Sequence, residues 1–237
     1  MTKARGRMRR HEEAHFSGSE SVRDVVLGMS DGLTVPFALA AGLSGAVADT
    51  HVILIAGVAE LVAGGISMGL AGYLAGKSEV DTWRNERARE EQEIIQVPEE
   101  ERDEVRKVFR DYGLAGPVLE SATDAICAEP KRWVNFMMRE ELNLAEPDPK
   151  RARFSALLIG GSYMLGGAIP LAPYLLSRSV TRGLLISVIV TLVTLGIFGA
   201  IKGRLTGRPP LGDALRTMLV GAIASGAAYG IARLIAH

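Results

Sequence analysis

Two carboxylates stand where the chain is otherwise apolar. Asp31 and Glu60 are, with Asp49, the only acidic or basic side chains between Val25 and Ala75, His51 apart. Each lies inside a run long enough to cross a bilayer core, which takes about 20 residues. A carboxylate at that depth costs at least ~2.5 kcal/mol on insertion scales, so it is a candidate for function. Met68 follows on the second run. At 1.5 Å per residue, Asp31 falls about 10 Å inside one face of the core. Glu60 and Met68 fall about 12 Å and about 24 Å inside the other. Across a core about 30 Å thick the order from the first face is Met68, Asp31, Glu60. A thioether followed by two carboxylates suits a borderline divalent cation such as Fe²⁺ or Mn²⁺, and intramembrane acids also serve as proton carriers. The inert alternative is a packed, hydrogen-bonded pair of protonated acids. Pro36 cannot donate to the Gly32 carbonyl, which leaves a free acceptor beside Asp31.

A second set of candidate ligands lies in the polar stretch that follows. Glu90 and Glu93 share a helix face, as do Glu101 and Glu104. Met137, Met138 and Glu141 fall on a later helix, with Met137 and Glu141 one turn apart. Converging, these groups would form a metal cage; the plainer reading is solvated glutamates and core methionines. His11 and His15 have the i, i+4 spacing of a helical metal pair but no partners.

Charge is segregated along the chain. Mean hydropathy is positive although 23% of residues are charged, and basic and acidic residues balance at 27 each. Lys77 to Arg153 is dense in both signs while the flanking stretches are apolar. This is a membrane domain with a polar insert rather than one globular core, and zero net charge gives no argument for nucleic acid. Cys127 is the only cysteine, which excludes an internal disulfide. Met1 to Arg23 is polar, lacks the apolar stretch of a signal peptide, and reads as a basic arm that anchors topology.

The pattern predicts an all-α membrane protein with five transmembrane helices and a helical cytoplasmic insert between helices two and three. Four segments result: the arm 1–23, helices one and two in 24–76, the insert 77–153, and helices three to five in 154–237. Span one covers Val25 to Val47. Span two begins at Val52 and, meeting no helix breaker, runs on to Pro98. Helices follow from Pro98 to near Gly113, from Pro117 to Ala128, and from Pro130 through WVNFMMREELNL. Span three, Phe154 to Leu176, carries Pro170 and Pro173 and should bend. Spans four and five cover Leu184 to Ile201 and Leu215 to Ile235. Gly65, Gly69, Gly72 and Gly76 form a small-residue stripe that permits close helix approach, within the chain or across a dimer. The positive-inside rule puts the arm, the insert and the Lys202–Arg208 loop in the cytoplasm.

Enzyme chemistry is not indicated. Ferritin-like di-iron centres need Glu-x-x-His pairs, and no histidine lies between His51 and His237. A P-loop motif is absent.

The stretches RDVVLGMSDGLTVPFALAAGLSGA and AELVAGGISMGLAGYLAGKSEVD resemble the vacuolar iron transporter family. EEQEIIQVPEEE, WVNFMMREELNL and EPDPKRARFSA resemble its cytoplasmic metal-binding insert and the entry to span three. The resemblance runs from about Ser21 to the C-terminus. It implies a five-span homodimer that exchanges Fe²⁺ or Mn²⁺ for protons, with the pathway at the dimer interface. By the same resemblance Asp31, Glu60 and Met68 line the pathway, and Glu90, Glu93, Glu101, Glu104, Met137, Met138 and Glu141 hold metal in the insert. The arm has no counterpart to carry over. The expected function is a proton-coupled antiporter moving Fe²⁺ and/or Mn²⁺ out of the cytosol, with no cofactor beyond the transported ion. The alternatives are a membrane-anchored metal-binding, storage or sensing protein, and a membrane scaffold whose insert docks a partner. Short loops and no evident targeting arm favour a prokaryotic cell membrane, or a vacuolar membrane if the source is a plant or fungus.

Overall fold

The computed structural model describes residues 19–236, all in helices and short connections. His11, His15, His237 and the basic arm as far as Gly18 lie outside the described residues. Helix α1 is Ser19–Ala46, α2 Thr50–Gln96, α3 Pro98–Asp111, α4 Gly116–Cys127 and α5 Pro130–Phe136. A π-turn, Met137–Glu141, continues α5, and α6 Arg151–Leu176, α7 Val180–Leu205 and α8 Pro210–Ile235 complete the chain. Five of these helices, α1, α2, α6, α7 and α8, are long and apolar enough to cross a membrane. The chain divides into two compact units, one formed by residues up to Gly69 with Leu158 onward, the other by Leu70–Leu157.

In the first unit small residues set the helix spacing. A Cβ added at Gly28 would lie 2.2 Å from the Ile159 carbonyl oxygen, and one at Gly160 would lie 2.6 Å from that of Gly65. Helix α6 is thereby seated against both α1 and α2. Gly42 and Gly45 admit α8 at Ala228 and Tyr229 in the same way, and Gly199 meets Asp213 and Thr217 where α7 crosses α8. Without a hydrophobic drive between helices in lipid, such backbone contact is what holds them together. The apolar centre is Ala40, Ile53, Leu171, Tyr174 and Val180. Ser187 Oγ donates to the Pro170 carbonyl at 2.7 Å, and Ser44 Oγ lies 2.9 Å from Tyr174 Oη.

Part of the glycine stripe of α2 packs inside the chain. Gly65 and Gly69 lie against Gly160, and a Cβ at Gly76 would come within 2.9 Å of Ala152 Cα. These three glycines serve packing on α6. The carbonyl that Pro36 frees is also covered, because a Cβ at Gly167 would sit 3.1 Å from the Gly32 oxygen.

The second unit holds the polar end of α2 and helices α3 to α5. Proline at or next to the first helical position starts α3, α4 and α5, where its missing N–H costs nothing. Val105, Trp133 and Met137 form the core, flanked by Ile94, Phe109, Ile126 and Phe136. Arg106 pairs with Glu120 at 2.8 Å, and Arg102 pairs with Asp124. The expectation of a helix running from Pro130 through WVNFMMREELNL to Leu144 is corrected here, because the element ends at Glu141. Leu142 N–H reaches back five residues to the Met137 carbonyl at 3.1 Å, and Asn143 takes φ 52°, which ends the element. Such wide turns recur at functional sites.

Candidate metal sites

Helices α1, α2 and α6 meet at one tyrosine. Tyr163 Oη donates to Glu60 Oε1. Gly32, the neighbour of Asp31, packs on the Tyr163 backbone. Tyr163 is 3% exposed, and Glu60 Oε2 is buried without a partner. Two glycines make room for this residue, Gly32 for its backbone and Gly64 for its ring. A Cβ at Gly32 would meet the Tyr163 carbonyl oxygen at 2.2 Å, and one at Gly64 would meet Tyr163 Oη at 2.5 Å. Asp31 is half-buried. Met68, also half-buried, lies on α2 about 12 Å along the axis from Glu60. The structure therefore joins Glu60 to Tyr163, sets Asp31 one residue from the Gly32 contact with that tyrosine, and places Met68 about two turns from Glu60 along α2.

This geometry has a direct consequence for Gly64. A methyl group there overlaps the phenol oxygen and separates Tyr163 from Glu60. Gly64→Ala is expected to destabilise the protein by about 1–3 kcal/mol, the usual cost of overpacking. A lower melting temperature in detergent, with Tyr163→Phe less affected, is the expected outcome.

In the second unit the glutamates gather where α2, α3 and the π-turn meet. Glu90 is 2% exposed and Glu101 5% exposed, and each has a buried carboxylate oxygen with no hydrogen-bond partner. Glu93 and Glu104 are half-buried. Glu141 is the exposed member, although its carboxyl shares a hydrogen bond with that of Glu104. Desolvation first, then the charges of Glu90, Glu104, Glu93 and Glu141, pushes Glu101 up to about 7. Desolvation and then Glu104 and Glu90 lift Glu141 to about 7. Glu90 is raised as well, by burial and then by Glu93. Arg89 opposes this charge, pairing with Glu86 at 2.8 Å and Glu93 at 3.5 Å. Among the described residues no three His, Cys, Asp or Glu side chains converge closely enough to hold one ion. The acids are gathered without being closed into a cage.

The methionines divide. Met137 is fully buried in the apolar core with Val105 and Trp133, the packing role ordinarily expected of methionine. Met138 is 3% exposed on the same π-turn as Glu141. Tyr163 is the residue that sequence reasoning missed. Its signal was an aromatic hydroxyl inside a glycine-rich membrane run, where backbones come close enough for a side chain on one helix to reach another.

A family model described as the VIT family matches residues 22–233. The chain is 52% identical over 225 residues to vacuolar iron transporter 1 of Oryza sativa subsp. japonica, covering 95% of this chain and 89% of that protein. It is 50% identical over 227 residues to vacuolar iron transporter 1 of Arabidopsis thaliana, covering 96% and 91%. Protein CCC1 of Saccharomyces cerevisiae is 36% identical over 222 residues, covering 90% and 69%. The resemblance drawn from the first two spans and the insert is borne out. The rice and Arabidopsis relatives carry transporter names rather than enzyme names, and with five helices long and apolar enough to cross a membrane the protein is a multi-pass membrane protein. The chain belongs to the VIT family.

Proposed function

We propose that the protein is a metal-ion transporter that moves Fe²⁺ and/or Mn²⁺ out of the cytosol in exchange for protons, in the service of iron and manganese homeostasis and detoxification. The observation that supports this reading is the hydrogen bond of Tyr163 to Glu60, beside the Gly32 contact next to Asp31, within membrane-crossing helices. Two acids and a phenol at membrane depth can bind a dication when ionised and carry protons when not. Iron enters the proposal through the names of the relatives, several of which are vacuolar iron transporters. Manganese enters through ligand chemistry, since carboxylates accept either ion.

In this reading the Leu70–Leu157 unit stands in the cytoplasm and concentrates metal. Glu90, Glu93, Glu101, Glu104 and Glu141 supply charge and Met138 a soft donor, with Met137 holding the π-turn against the core. A cation would draw the spread carboxylates inward and relieve their mutual repulsion. Met68, Asp31 and Glu60 then pass the ion outward. The homodimer with its pathway between first spans rests on the family resemblance, and cross-linking between α1 helices tests it. The membrane is the vacuolar one in a plant or fungal cell, the setting in the names of several relatives, or the cell membrane in a prokaryote.

The test is Fe²⁺ and Mn²⁺ uptake by proteoliposomes under an imposed pH gradient. The expected result is flux that follows the gradient and acidifies or alkalinises the lumen in step with the metal. Metal binding without flux would replace transport by a storage or sensing role.

A further inference from the structure

Beside the membrane boundary of the second unit lies a pocket of about 360 Å³ that the transport reading does not use. Lys77, Arg84, Lys150 and Arg153 line it, with Tyr73 and a single carboxylate, Asp81. Its position follows from the sequence pattern. Ala75 ends the apolar run of α2 and Lys77 is the first charge after it, while Arg153 stands immediately before Phe154 and the apolar run of α6. The close approach of Gly76 to Ala152 draws these two boundaries together, so cations from both helices ring one opening. All four cations are exposed, and among the described residues no carboxylate pairs with any of them. Cations that served only to anchor topology would need no shared concavity and no aromatic hydroxyl within it.

We propose that this pocket binds the phosphate headgroup of an anionic phospholipid in the adjoining leaflet. Basic pockets between membrane helices at this level suit such headgroups. The lipid phosphate would sit among the four cations, Tyr73 would face the glycerol region, and the acyl chains would lie along the apolar ends of α2 and α6. Two loose cationic helix ends would be tied together where the polar unit joins the membrane. The site stands on charge and shape and does not depend on the metal pathway.

The test uses full-length protein in nanodiscs of phosphatidylcholine with increasing phosphatidylinositol phosphate, read by native mass spectrometry of retained lipid. Lys77→Gln with Arg153→Gln is compared with Lys107→Gln with Arg110→Gln, an equal charge loss on α3. At roughly fivefold per cation, the pocket variant is expected to retain the anionic lipid about thirtyfold more weakly than wild type. The α3 variant is expected to match wild type. Equal weakening by both variants would reduce the effect to general surface charge and overturn the proposal. Inorganic phosphate in solution is the second arm. If it displaces the lipid at millimolar concentration, the pocket is a free-anion site and the lipid assignment fails.

Discussion

Proteoliposomes carrying Asp31→Ala are expected to take up Fe²⁺ no faster than protein-free vesicles, while the protein inserts and melts as well as wild type or better. The second half of this result follows from removing a polar group from an apolar run, where each acid costs at least ~2.5 kcal/mol of insertion free energy. The first half follows from what a dication needs in the core. A unit charge about 4 Å from a carboxylate gains about 4 kcal/mol at an effective dielectric of 20, and a dication gains more. Even about 3 kcal/mol lost at the barrier lowers a rate by more than about 100-fold. Asp31 is the acid of α1 within its apolar run, and its neighbour Gly32 packs directly on Tyr163, so no nearby α1 side chain can replace it. Asp31→Asn separates charge from shape and should fail nearly as completely, whereas Asp31→Glu keeps the charge and should retain part of the flux. Flux at wild-type rate in Asp31→Ala would remove Asp31 from the pathway.

Local features of the fold were legible and long-range ones were not. Helix α2 could be followed out of its apolar run to Pro98 because nothing in KSEVDTWRNERAREEQEIIQV breaks a helix, and it ends at Gln96. Pro98 and Pro130 marked helix starts because proline acts on its own backbone. The π-turn at Met137–Glu141 left no such mark, since MMREE is a good α-helical sequence and packing of Met137 against Val105 and Trp133 is a tertiary matter. Tyr163 was hidden for a related reason. Its bond to Glu60 spans 103 residues, and no periodicity in either segment encodes the partner. Asp31 and Glu60 could be singled out as candidates because a charge in an apolar run stands out one residue at a time. The tyrosine bonded to Glu60 could not, because a tyrosine in a membrane helix is ordinary.

Metal capture by the insert should depend steeply on pH in a range where ordinary carboxylates are fully ionised. Glu101 and Glu141 are each lifted to about 7, so a cation binding there must displace their protons. Between pH 7.5 and 5.5 each displaced proton lowers apparent affinity by about 25-fold, and two lower it several hundredfold. A carboxylate at its usual value loses almost nothing over that interval. Titrating Mn²⁺ into the full-length protein in detergent at several pH values measures the slope, and Glu101→Gln should lower it by about one proton per ion. The metal-free protein should show the opposite trend in stability. In the folded chain these two acids keep their protons up to about 7, while in the unfolded chain they release them near 4.5. The folded state therefore holds more protons across that window, and unfolding free energy falls as pH rises from about 4.5 to 7, then levels. Melting curves with chelator present should show that fall, and saturating metal at pH 7.5 should reverse it by binding only the folded form. Affinity that stays flat from pH 5.5 to 7.5, with stability rising over the same range, would mean that these carboxylates face water as an ordinary polar surface and that metal is taken up elsewhere.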